Sequence, residues 1–194
     1  MQDFWFYIKL GLEHVLDLGA YDHILFLAAL AIPFTFKNWK QVVILATIFT
    51  IAHCASLAFS VYGIFSVDVG LIEFLIPVTI ALTALLNFLR VFKKERSTGI
   101  YFQALATTFF GLIHGFGFSN YFNMLMAEEE NKFGPLLGFA TGIELSQVTI
   151  ILVVLVVAYL VQEVFKIKQP TFIGVTSILI LLVTIPMLIA TFPN

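Results

Sequence analysis

Six apolar stretches, each about as long as a bilayer crossing, make up most of this chain, and no soluble fold accommodates them. A helix needs about 20 apolar residues to cross a hydrocarbon core about 30 Å thick, and such stretches run over about 20–36, 41–63, 70–92, 99–121, 134–161 and 171–192. The sequence therefore predicts an all-α integral membrane protein of about six transmembrane helices, forming a single membrane domain over 1–194. Composition agrees: 60% of the residues are apolar and 11% charged, against about 45–50% and 25% in soluble domains. Residues 4–17 are too charged for a full crossing, yet Phe4, Trp5, Ile8, Leu12, Val15 and Leu16 recur at helical spacing. That pattern predicts a short N-terminal interfacial or partly inserted helix. Asp3, Glu13 and Asp17 in this stretch are unlike a cleavable signal, so it is expected to be retained.

Charge between the spans sets the topology. Lys37 and Lys40 follow the first span, Arg90, Lys93, Lys94 and Arg96 the third, and Lys166 and Lys168 the fifth, so eight of the ten basic residues share one side. The positive-inside rule makes that side cytoplasmic. Asp68 and the run Glu128, Glu129, Glu130 fall on the other. Both termini are then expected on the outer, non-cytoplasmic side of the membrane. A net charge of −2 without a basic patch argues against nucleic acid as a partner, and one cysteine, Cys54, excludes a disulfide within the chain.

The residues that a bilayer should exclude carry the functional information. Each ionisable side chain inside a span costs several kcal/mol unless paired, hydrated or liganded, and so marks a site by default. Asp22 and His23 open the first span, His53 sits in the second, Glu73 opens the third, His114 lies in the fourth and Glu144 in the fifth, while His14 precedes them. Counting about 1.5 Å per residue from the span ends puts His53 roughly 12 Å, His114 roughly 8 Å, His23 and Glu73 roughly 5 Å and Glu144 roughly 15 Å below the outer surface. Five segments converge on the outer half of the membrane. Neutral imidazole and carboxylate are ligands for divalent nickel, zinc, cobalt or copper. A lone buried histidine is more often a helix tie than a ligand; four histidines with carboxylates at one depth reverse that balance. Gln147, one turn after Glu144, and Asn87 are polar candidates to support the ligands, although an interhelical hydrogen bond explains each as well. Cys54 points away from His53 and reads as a packed small residue. Gly111 and Gly115 around His114, and Gly134, Gly138 and Gly142 before Glu144, are spaced for close helix contact, within the chain or in a homo-oligomer. Gly117 would loosen the outer end of the fourth span, and the phenylalanines read as lipid-facing.

The motifs together resemble a family. Gly11-Leu-Glu-His14, Gly19-Ala-Tyr-Asp22-His23-Ile-Leu-Phe-Leu, Phe49-Thr-Ile-Ala-His53, Glu73 with Ile80-Ala-Leu, Phe110-Gly-Leu-Ile-His114-Gly-Phe-Gly-Phe118, and Gly138-Phe139 with Gly142-Ile-Glu144-Leu-Ser-Gln147 are similar to the HupE/UreJ family of bacterial membrane proteins, from about residue 11 to 150. The family commonly has Ser at the position of Cys54 and Gly at that of Ser146. Its members are associated with hydrogenase and urease operons, so the resemblance implies a nickel-class metal permease, with His14, Asp22, His23, His53, His114 and Glu144 handling the ion. The alternative is a membrane-embedded metal-dependent hydrolase or acyl transferase acting at the outer leaflet, which suits the sparse polar residues of the inner half. A bis-histidine haem site is disfavoured by the carboxylates.

Overall fold

The computed structural model describes residues 4–65, 67–92, 100–127 and 129–193, and among these all regular structure is helical. The expected charges Lys93, Lys94, Arg96 and Glu128 lie outside the described residues. Seven α-helices follow one another: α1 Phe4–Leu16, α2 Asp22–Ala31, α3 Trp39–Val61, α4 Val69–Phe92, α5 Ile100–Leu125, α6 Phe133–Tyr159 and α7 Gln169–Ala190. A 3-10 turn, Phe36–Asn38, leads into α3, and a π turn, Leu160–Val164, ends α6.

Among the described residues four helices are long and apolar enough to cross a membrane: Phe36–Val61, Val69–Phe92, Phe133–Val164 and Gln169–Ala190. The expected six are therefore not all reached on length and composition. α5 has the length, 26 residues, but Gln103, Thr107, His114, Ser119, Asn120 and Asn123 interrupt its apolar sequence. The first expected span, 20–36, is a helix of 10 residues, about 15 Å long. Its limit is Pro33, which lacks the N–H that would continue the ladder to Ala29. The Ala29 carbonyl instead accepts a hydrogen bond from Asn87 Nδ2 of α4 at 2.6 Å. Asn87→Ala should therefore cost about 1–2 kcal/mol in thermal unfolding in detergent, with metal binding unchanged.

Packing fixes the direction of each helix. Gly111 of α5 meets Phe49 and Ala52 of α3, and Gly115 meets His53 and Ser56, so α3 and α5 run parallel. Gly138 of α6 meets Phe4 and Tyr7 of α1, and Gly142 meets Ile8, Gly11 and Leu12, so α1 runs parallel to α6. Thr79 with His114 and Ile76 with Gly117 make α4 antiparallel to α5. Phe74 with Phe192 and Val91 with Gly174 do the same for α4 and α7. The helix expected to lie at an interface is thus packed along α6, and α1 followed by α2 runs in one direction as two pieces.

Phe4, at the start of α1, and Phe192, after α7, lie at one end of the bundle. There Tyr7 O–H donates to Glu129 Oε1 at 3.0 Å, Lys132 Nζ to the Val61 carbonyl at 3.2 Å, and Asn123 Nδ2 to Ser60 Oγ at 2.8 Å. Gly63, at φ 68°, closes α3 at this end with its N–H on the Ser60 carbonyl and that of Ile64 on Phe59, a Schellman cap that needs a left-handed residue. At the other end Gln169 Nε2 donates to the Pro33 carbonyl at 3.1 Å and Phe36 meets Tyr159. Lys37, Lys40, Arg90, Lys166 and Lys168 lie in or beside the helix ends there. Lipid tails are as apolar as leucine, so what holds such helices together is close packing and interhelical hydrogen bonds, each bond worth about 0.6–2 kcal/mol.

Candidate metal centre

The break between α1 and α2 creates the centre. α1 ends two residues after His14, and α2 begins on Asp22 and His23, so two short helices each deliver ionisable side chains at the interruption. The continuous helices α3 and α5 supply His53, whose own backbone meets Gly115, and His114, the residue before that glycine. Ring centroids lie 4.6 Å apart for His14 and His23, 5.3 Å for His23 and His114, 5.6 Å for His14 and His53, and 5.8 Å for His23 and His53. All four histidines of the chain thus meet in one cluster, although the first and the last are 100 positions apart.

Hydrogen bonding sets the tautomers of two of them. His23 Nδ1–H donates to Asp22 Oδ1 at 3.3 Å, which leaves the lone pair on Nε2. Thr79 Oγ1 donates its one proton to the Ile76 carbonyl at 2.7 Å. At 3.1 Å from it, His114 Nε2 must then be the donor, and the lone pair sits on Nδ1. Those two free nitrogens, with His14 Nε2 and both nitrogens of His53, are buried and have no protein partner. Buried imidazole nitrogens are normally satisfied, and each orphan costs about 1–3 kcal/mol. Asp22, His23 and His114 offer ligand atoms that all lie within 4.8 Å of one another. A carboxylate and two neutral imidazoles suit a borderline divalent transition metal. The rings of His14 and His53 flank that group.

An aromatic wall surrounds the imidazoles. Phe118 lies 4.0 Å from the His14 ring, Phe49 and Phe26 lie 5.2 and 5.3 Å from that of His114, and Phe139 stacks on Phe118 at 5.3 Å. The phenylalanines expected to face lipid include this group, which keeps the dielectric low around any charge. A cleft of about 600 Å³ lined by Leu12, Glu13, His14, Asp17, Phe118 and Tyr121 opens the cluster to the outside on the His14 side.

The other expected site residues sit elsewhere. Glu73 is exposed on α4; Pro77, four residues on, removes the helix bond to its carbonyl. Glu144 accepts hydrogen bonds from Thr47 Oγ1 at 2.6 Å and Thr50 Oγ1 at 2.7 Å, one turn of α3 away from His53. Gln147 is fully buried with neither amide atom partnered. Asn87 holds Ala29 as described. Gly117 packs on Ile76 within a helix that continues to Leu125, so α5 is not loosened there. Gly134 has open space around it, unlike Gly138 and Gly142. Thr79 was not singled out by sequence. The spacing Thr79, Thr83, Asn87, four residues apart on one face of α4, is the signal that would have found it.

Fold and centre together define a helical membrane protein with a buried histidine and aspartate cluster. Its sequence places it further. The chain belongs to the HupE / UreJ protein family, whose model matches residues 1–191. No curated protein and no solved structure matches it.

Proposed function

We propose that this protein is a permease for a divalent transition metal of the nickel class, taking the ion from the outer side onto Asp22, His23 and His114, with His14 and His53 beside them. The observation that carries this reading is the set of five unpartnered buried imidazole nitrogens in one cluster of four rings, two of which group with the Asp22 carboxylate. A structural tie would have spent those nitrogens on hydrogen bonds. The ion is the cargo here, so the ligand shell needs to be open to both sides in turn.

An inward route is supported by a polar line at the inner half. Thr79 touches His114, and Thr83, Asn87, Thr107 and Gln103 continue from there to a cavity of about 50 Å³ between α2, α4 and α5. Phe26 and Phe110, whose rings lie 6.0 Å apart, separate that cavity from the cluster. In this reading α1 and α2 together make the first of six passes, as the discontinuous helices of other transporters do around their binding sites. The basic end faces the cytoplasm.

Proteoliposomes test it. With nickel or zinc outside, the wild-type protein should accumulate the ion, and Phe110→Ala should raise the flux several-fold at unchanged affinity. Tight retention of the metal with no flux, together with turnover of a lipid substrate, would transfer the reading to a metalloenzyme. Labelling of single cysteines at Lys37 and Gly63, in a Cys54→Ser background, should reach opposite sides. Labelling of both from one side would overturn the topology.

A further inference from the structure

We propose that the cavity at the basic end of the bundle binds the phosphate of an acidic phospholipid, with Arg90 as its anchor. The site stands apart from the metal cluster, because its donors are different side chains and its ligand is an anion.

The cavity exists because α2 is short. α2 ends at Ala31, and Pro33 stands in the wall of the space that opens beyond it between α4 and α5. Thr83, Asn87 and Arg90 line that space from α4, and Gln103 and Thr107 from α5. Each set is spaced by three or four residues and so shares one helix face. Two of these side chains are occupied within the protein: Thr83 Oγ1 donates to the Thr79 carbonyl at 2.8 Å, and Asn87 Nδ2 to that of Ala29. The Arg90 guanidinium, the Gln103 amide and the Thr107 hydroxyl have no hydrogen-bond or ion-pair partner among the described residues. No carboxylate among those residues lines the cavity. Three unspent donor groups, one of them permanently charged, thus share a space without a countercharge.

Burial separates Arg90 from the other cations at this end. Lys37, Lys40, Lys166 and Lys168 are exposed, whereas Arg90 is half-buried in the cavity wall. An arginine that only marked topology would keep its head in water, as those lysines do. A guanidinium drawn out of water without a partner is costly, and its planar fork matches two oxygens of a phosphate. The cavity, about 50 Å³, has room for about three to five water-sized groups, which suits a phosphate and leaves the acyl chains outside. Arg90 is two residues from the end of α4 and Gln103 three from the start of α5. Both therefore lie within about 5 Å of a helix end, at the level of the lipid headgroups. Phe102, exposed on the rim, gives the chains an apolar surface that a soluble phosphate would not use. Basic pockets between helices on the cytoplasmic side are suited to acidic headgroups. In the permease reading, a phosphate here also cancels the positive charge that a departing cation would meet in the same cavity.

The test is titration of the full chain in detergent with phosphatidylglycerol, phosphatidylcholine or sodium phosphate, read by native mass spectrometry and thermal unfolding. One phosphatidylglycerol per chain should be retained about tenfold more tightly than phosphatidylcholine and should raise the unfolding midpoint, and millimolar sodium phosphate should not displace it. Arg90→Ala should weaken that retention about tenfold or more. Arg90→Lys, which keeps the charge and loses the fork, should weaken it less, and so should Thr107→Val. Lys168→Ala removes an exposed charge at the same end and should change nothing. Circular dichroism checks folding, and if Arg90→Ala does not fold, Arg90→Lys and Thr107→Val carry the comparison. Equal retention of the two lipids by the wild-type protein overturns the proposal, as does retention of phosphatidylglycerol by the Arg90 and Thr107 variants equal to that of Lys168→Ala. Displacement by millimolar sodium phosphate overturns the lipid as occupant and assigns the cavity to a soluble phosphate. Metal binding is measured separately, so each of these results leaves the metal reading where it stands.

Discussion

His114→Ala should weaken binding of nickel or zinc by about 100-fold or more, the largest functional loss expected of any single substitution in this chain. Changes to groups that merely support a ligand cost about 10–100-fold, and in the proposed site His114 supplies a ligand atom of its own, the unpartnered Nδ1, its ring held by the bond between Nε2 and Thr79. The loss should come without unfolding, because the Gly111 and Gly115 contact that seats α5 on α3 is retained. Thr79→Val, which frees the His114 tautomer but keeps the volume, should weaken binding by a smaller factor of about 10. Cys54→Ser and Glu73→Gln should leave affinity unchanged, since neither side chain belongs to the cluster. Calorimetric titration and elemental analysis of the purified protein, with circular dichroism as the check on folding, measure all four. Equal affinity in His114→Ala and wild type would remove the cluster as the ion's site.

Gly142→Leu should be the most damaging change to the fold. A Cβ at Gly142 would run into the Ile8 carbonyl and lie 2.8 Å from the Leu12 nitrogen, backbone atoms that cannot turn aside. Overpacking against a flexible side chain costs about 1–3 kcal/mol, and here α1 must move as a whole. A loss of about 3 kcal/mol or more lowers the midpoint of unfolding by about 6–12 °C in a chain of this size. Displacing α1 also withdraws His14, so metal binding should weaken in the same variant. Gly134→Leu on the same helix is the control, because nothing lies within 4 Å of its position. Matching midpoints for the two variants would show that α1 is not seated on α6 as described.

The charges and the apolar spacing made the layer of histidines legible, because a bilayer tolerates so few ionisable groups that their depth alone was informative. Asp22, His23, His53 and His114 followed from that, and His14 from the family resemblance. What one sequence withholds is rotation. Glu73 shares the depth range but lies on the exposed face of α4, and Glu144 faces two threonines of α3 instead of the imidazoles. Phenylalanine is equally at home against lipid and around a buried ring, so composition gave no warning of Phe49, Phe118 and Phe139. The first crossing was read as continuous and short, because hydropathy averages over a window and cannot register two helices that share one path. Asn87 and Pro33 lie 54 positions apart, and only their juxtaposition shows that the amide answers the carbonyl the proline leaves open.

The glycine groove of α6 also imposes an order of manufacture. α1 is synthesised before the other described helices, yet its exposed Lys9 and Glu13, with Asp17 directly after it, make it a poor candidate for insertion alone. The surface that accepts it, around Gly138 and Gly142, is synthesised more than 120 residues later. The nascent chain must therefore hold its N-terminal segment in waiting at the membrane surface until α6 is in place. Only then does His14 reach the other imidazoles, so a chain truncated before α6 would be inserted but unable to assemble the full centre.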